Sequence, residues 1–238
     1  MTRAFSAAKK LVIEVDIRNS TAMREAIMRH GIYPAGQTIN QHLSADASAQ
    51  LRQALRRYDT SFESISRMKP WMVANLLLVQ EMARQGFPTE QGIELHFLSL
   101  AEKQKKIVQE LETADYQLSL FDSMSDAEQE EYLVENLTEL ANGTAMKKAL
   151  DLIKAWQIAD ARALDAALQE MQKGENASDR FLQKVLLDQR NPAMAKQVET
   201  LLKTDKHSFV AVGALHLLGA QGVPGLLRQA GYKVDKLY

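Results

Sequence analysis

The sequence predicts an α/β domain in which a small sheet, assembled from both ends of the chain, is overlaid by a large helical insertion. Three observations lead there. Short β-branched runs stand near the start, the middle and the end of the 238 residues. Nearly everything between them carries apolar residues at helical spacing. Only 11 Gly and 5 Pro are present, which leaves little material for turns. With 46% apolar residues the chain can bury a core of its own.

The first run, LVIEVDI (Leu11–Ile17), lies between two lysines and Asn19-Ser20 and reads as a strand. Ser44 is placed to cap a helix whose apolar face is Leu51, Leu55 and Tyr58. Pro70 suits the first turn of a helix through WMVANLLLVQEMARQ, stopped by Gly86. KIVQELE (Lys106–Glu112) is a second, more polar strand. Ser125 and Glu128 have capping-box spacing for a helix through Leu140, ended by Asn142-Gly143. Helices follow at Thr144–Gln157, Ala159–Gln172 and Ser178–Leu187. Another begins with Asn191 as cap and Pro192 at its first position and runs to Leu202. SFVAVGA (Ser208–Ala214) is apolar on both faces, as a central strand is, and YKVDKL near the C-terminus alternates like an outer strand.

Composition removes several function classes. Lys and Arg number 29 against 30 Asp and Glu, and this near-neutral balance argues against a nucleic-acid binder. No apolar run reaches the roughly 18–20 residues of a membrane span. The N-terminus has no apolar stretch before Lys9 and does not read as a signal peptide. Absence of Cys excludes disulfides, thiolate catalysis and Cys-bound zinc while leaving the compartment open.

Some residues invite chemistry. Along the first strand the period of two puts Glu14 and Asp16 on one face, about 7 Å apart, either in water or as a carboxylate pair aimed into a cleft. Glu110 and Glu112 repeat the arrangement on the second strand. His216 follows Gly213 at the carboxyl end of the apolar third strand, where α/β sheets bind ligands, although a lone turn histidine has a structural reading too. Arg190 precedes a helix start and can clamp a carboxylate or phosphate, or pair on the surface. The basic groups Arg52/Arg56/Arg57 and Lys103/Lys105/Lys106 and the acidic run Asp126–Glu131 read as solvated faces. No two histidines have metal-ligand spacing.

Four segments, in order, resemble the TraB/GumN (TraB–PrgY–GumN) family, to which the TIKI-type metallopeptidases are related. They are AFSAAKKLVIEVD with its E-x-D; KPWMVANLLLVQ followed by GIELHFLSLAEKQKKIVQELETADYQLSLFDSM with L-E-T and a Gln-bearing helix; RNPAM; and FVAVGALHLLGAQGVPGLLRQAGYKV with V-G-x-x-H-L-x-G-x-x-G. The resemblance covers nearly the whole chain and departs from the pattern at Gly92-Ile93-Glu94, where Gly-x-Asp is usual. It implies one domain over 1–238 with a mixed sheet and a helical insertion. It also implies that the family's leading strands and its first G-x-x-H motif do not stand ahead of Glu14 here.

For function the resemblance implies a divalent-metal-dependent, peptidase-like hydrolase. His216 and Glu14 would bind Mn²⁺, Co²⁺ or Zn²⁺, and Glu112 or Asp16 would serve as base. Arg190 would hold a substrate carboxylate or oxyanion, and Gly213, Asn191 and Gln117 would line the cleft. The alternative is a non-catalytic protein that sequesters a peptide or small ligand in the same place. A periplasmic or exported location rests on the family alone. Loss of leading strands predicts an unpaired edge beside Leu11–Ile17 and, through it, a homodimer.

Overall fold

The computed structural model describes residues 1–205 and 207–237. In chain order it contains α1 (Thr2–Ala7), β1 (Lys10–Ile13), α2 (Ser20–Ala26), α3 (Ala45–Arg57), α4 (Phe62–Ile65), α5 (Pro70–Arg84) and α6 (Ile93–Lys103). Then come β2 (Ile107–Glu110), α7 (Ala114–Asp122), α8 (Asp126–Asn142), α9 (Thr144–Gln157), α10 (Ala161–Lys173) and α11 (Ala177–Phe181). The chain closes with α12 (Arg190–Thr204), β3 (Ser208–Ala211), a 3₁₀ turn at Ala214–Leu217 and α13 (Val223–Gln229). Two π-helical stretches, Ile27–Gly31 and Leu182–Asp188, extend α2 and α11.

Early, middle and late segments do meet in one small sheet, ordered β2-β1-β3, and both pairings are parallel. Leu11 stands between Val108 on one side and Phe209 on the other. A parallel sheet needs cover on both faces, and β1 has it. Val12 packs on Met194, Val198 and Leu201 of α12, while Leu11 and Ile13 pack on Phe5, Phe97 and Leu98. This double burial explains the near-continuous apolar run.

Four expectations need correction. The sheet is parallel throughout its described strands rather than mixed, because Tyr232–Leu237 forms no strand. That tail packs back instead, with the Tyr232 N–H on Leu227 O and its hydroxyl on Glu199. The edge beside Leu11–Ile17 does not exist, since β1 is the central strand and the outer strands are β2 and β3. The strands are shorter than read: past Ile13 the pairing toward β2 continues through Leu111 and Glu112, but toward β3 the Gly213 N–H turns to the Glu14 side chain. Finally, Asn191 is not a helix cap. The backbone is already helical at Gln189 and α12 starts at Arg190, so Asn191 and Pro192 both lie inside its first turn. Proline is tolerated there because first-turn N–H groups have no helical partner.

The insertion packs around its own core of Leu51, Leu55, Val73, Leu77, Leu133 and Leu137, drawn from α3, α5 and α8. Its helix ends follow local chemistry. Ser44 Oγ accepts from Ala47 N at 3.2 Å, Ser125 and Glu128 form both bonds of a capping box, and Gly143 ends α8 at φ 80°. Among the described residues no helix is long and apolar enough to cross a membrane.

Candidate functional site at the carboxyl end of the sheet

All three strands end on the same side, and the residues that follow them converge with the start of α12. Glu14 follows directly on β1 and still pairs with Glu112 through its carbonyl, so the chain that buries Val12 against α12 carries Glu14 to that helix's N-terminal end. There Arg190, 6% exposed, meets two carboxylates. Its Nε donates to Glu112 Oε1 and Oε2 at 3.0 and 3.1 Å, and its Nη2 to Glu112 Oε2 at 2.7 Å and Glu14 Oε2 at 2.5 Å. Gln117, on the first turn of α7, donates to Glu112 Oε2 at 2.9 Å and Glu14 Oε2 at 3.2 Å. The second Glu14 oxygen accepts the Gly213 N–H at 2.5 Å. A Cβ at Gly213 would lie 3.2 Å from that oxygen and 3.6 Å from the His216 ring, so the close approach favours glycine here.

His216 is buried on the 3₁₀ turn beyond β3. Its Nδ1 lies 2.6 Å from Asn191 Oδ1, and Asn191 Nδ2 donates to the Gln221 carbonyl at 2.9 Å. Since Nδ2 is the amide's donor, Oδ1 must accept, and this fixes the proton of the neutral ring on Nδ1. The lone pair then sits on Nε2, 4.0 Å from Glu14 Oε1.

The electrostatics follow from burial and partners. Burial pushes the Glu14 carboxyl up, but the Gly213 N–H and the charge and hydrogen bond of Arg190 outweigh it and hold the group below its ordinary value. For His216 burial dominates. It lowers the imidazole pKa, Arg190 adds to that, and the opposing pull of Glu14 and Glu112 does not compensate. Burial also lowers Arg190, but the Glu112 bonds and the Glu14 charge reverse the direction and keep the guanidinium ionised. A neutral His216 therefore faces an ionised Glu14.

Seven of the sequence-predicted residues are therefore brought together: His216, Glu14, Glu112, Arg190, Gly213, Asn191 and Gln117. Asp16 is not. Its carboxylate is bonded to Arg18 Nε and Nη2 at 2.9 and 2.6 Å, outside the cluster. Glu110, the other acid of the second strand, is occupied with the Asp16 N–H at 2.6 Å. What sequence reasoning missed is the role of Asn191, whose signal was its fixed place beside Arg190 in the R-N pair.

The metal that the resemblance implies would need donors from this set. His216 Nε2 and Glu14 Oε1 face each other, but both Glu112 oxygens lie under Arg190, whose positive charge also rests on Glu14. Two donors fall short of the three protein ligands usual for a catalytic zinc. Among the described residues no group of three or more His, Asp or Glu side chains converges as a metal centre. These residues do not fit a metal by themselves.

The profile of the TraB/PrgY/gumN family matches residues 1–236. The chain belongs to this family. Among individual relatives of this family member, the uncharacterized protein YbaP of Escherichia coli (strain K12) is 25% identical over 221 residues, 93% of this chain and 77% of YbaP. A metalloprotease TIKI homolog of Nematostella vectensis is 21% identical and is matched by 98% of this chain, over 59% of its own length. Metalloprotease TIKI2 of Danio rerio is 41% identical over 59 residues, 24% of this chain and 11% of that protein. No solved structure matches.

Proposed function

We propose that this TraB/PrgY/gumN family member is a hydrolase of peptide-like substrates with its reaction centre at Glu14, Arg190 and His216. The observation that carries the reading is the His216 lone pair: a buried, neutral imidazole with its tautomer fixed by Asn191 and its free Nε2 facing an ionised carboxylate. Such a group can take the proton of an attacking water, and Glu14 stabilises the imidazolium that forms. Arg190 uses Nε and Nη2 on the two glutamates, which leaves Nη1 without a bond among the described residues. That arm is suited to a scissile carbonyl oxygen as it becomes negative. Glu112 and Gln117 are positioning residues: Glu112 holds the guanidinium, and Gln117 donates to Glu112 and Glu14.

The likeness to proteins named metalloproteases supports hydrolysis and extends the reading to divalent-metal use, in which His216 and Glu14 would be the ligands and the imidazole would no longer serve as the base. Because these donors do not complete a metal centre, no step above passes through one. An exported, periplasmic location belongs to the same reading. A second reading, a binding protein that sequesters a peptide without cleaving it, is favoured by the saturation of both glutamates by Arg190.

The test is cleavage of a fluorogenic peptide library with EDTA, Mn²⁺, Co²⁺ or Zn²⁺ in turn. Turnover that falls by about 10²-fold or more in His216→Ala, with Asp16→Asn unaffected, supports the hydrolase. No cleavage under any condition, with peptide still bound, gives the second reading.

A further inference from the structure

A cavity of about 370 Å³ lies between α10, the π-helical stretch Leu182–Asp188 and the loop that carries His216. Asn191, whose side chain orients the His216 ring, is part of its wall. The loop is held against α10 by close contacts: Gly219 has φ +68°, and a Cβ there would meet Leu168 Cδ2 at 3.2 Å.

The chemistry of the lining is one-sided. Two carboxylates, Asp165 and Asp188, border the cavity together with the amides of Gln169, Gln172 and Gln183, and no Lys, Arg or His lines it. The π-helical register puts Gln183 and Asp188 on the same side, and Gln183 Nε2 donates to Asp188 Oδ1 at 2.6 Å. That bond orients the amide so that Gln183 Oε1 is a buried acceptor with no partner among the described residues. Leucines 168, 187 and 218 supply apolar walls beside these acceptors. Acceptors and negative charge next to apolar walls match a side chain with an alkyl stem and a cationic, donor-only head.

We infer that this cavity is a binding subsite for an arginine or lysine side chain of a peptide whose backbone passes His216. The inference rests on the proposed peptide-directed reading, but binding tests it separately from cleavage. Acetylated, amidated alanine hexapeptides bearing one Arg, Lys, norleucine or Glu are titrated against the whole protein and followed by backbone amide NMR. The Arg and Lys peptides are expected to bind about tenfold tighter than the norleucine peptide, with the Glu peptide weakest, because two carboxylates at partly exposed sites add modestly to affinity. Shifts should centre on Gln183 and Gly219. In the Asp165→Asn/Asp188→Asn double variant the preference should shrink to about twofold or less. Equal binding of all four peptides, shifts centred elsewhere, or a preference that survives in the double variant would overturn the subsite. Cation-selective binding without cleavage leaves the subsite standing while removing the hydrolase; cleavage without selectivity does the reverse.

Discussion

Among the described residues two acidic side chains are buried deeply, and they are treated differently. Glu112, at the sheet end, is held by Arg190 through both oxygens, and the guanidinium reaches on to Glu14. Glu81, 2% exposed within the helical insertion, has a single long contact of 3.4 Å to the half-exposed Arg57 and one bond of 3.0 Å from Gln85. Its Oε2 has no partner among the described residues. The Gln85 bond still overcomes burial, aided by Tyr58 and the nearby arginines, and holds the carboxyl below its ordinary value. Both arrangements bury a charge. Only at the sheet end do side chains from several distant segments converge on it, and only there is a neutral histidine left with a free lone pair. Burial of an acid is thus a weak sign of function; convergence around it, with one group left unsatisfied, is a stronger one.

The largest expected effect of that difference is on stability. Arg190→Met strands two carboxylates in a buried site and should cost about 3–5 kcal/mol in denaturant unfolding. Glu81→Gln should stay within about 1 kcal/mol, because it removes a charge that is poorly paired already. Neutralising the whole triad, Glu14→Gln/Glu112→Gln/Arg190→Met, should recover part of the loss. If Arg190→Met and Glu81→Gln prove equally damaging, the contrast between the two sites is lost.

Asn191→Ala comes next. It removes the acceptor of the His216 ring proton and leaves the Gln221 carbonyl unpaired, for about 1–3 kcal/mol. Its diagnostic readout is the His216 tautomer, which an only structural asparagine would not change.

Stability should also depend on acid in two stages. The unfolded chain protonates its histidines near 6.5, whereas the folded His216 stays neutral to lower pH, so its contribution is lost as pH falls below 6.5. Glu14, also depressed, adds a second loss as pH falls below its ordinary 4.5. Equilibrium unfolding from pH 8 to 4 should show the first stage shrink in His216→Ala. The smallest effect belongs to Asp16→Asn, under about 1 kcal/mol, since this acid pairs with an exposed arginine.

What the sequence made legible was mostly local. Ser44, Ser125 with Glu128, Pro70 and Gly143 mark helix ends because capping depends on neighbours a few residues away. The sheet was legible in its three segments, but not in its strand order, and the edge was assigned to the wrong strand. Glu14, Glu112 and Arg190 could not be joined by spacing, because their partners lie 78 and 176 residues apart; family motifs carried them. Asn191 was misread because Asn-Pro is also good cap chemistry, and the continuous helix through Gln189 overrode it. Glu81 was hidden within an apolar helical run, where a single acid looks like an exposed position.

The protonation state of His216 is the feature on which the proposed chemistry turns. Histidine side-chain ¹⁵N NMR at pH 7, assigned by comparison with His216→Ala, observes it directly. A protonated Nδ1 and an unprotonated Nε2, persisting below pH 6.5, is the result predicted here. A ring protonated on Nε2, or on both nitrogens at pH 7, would contradict it.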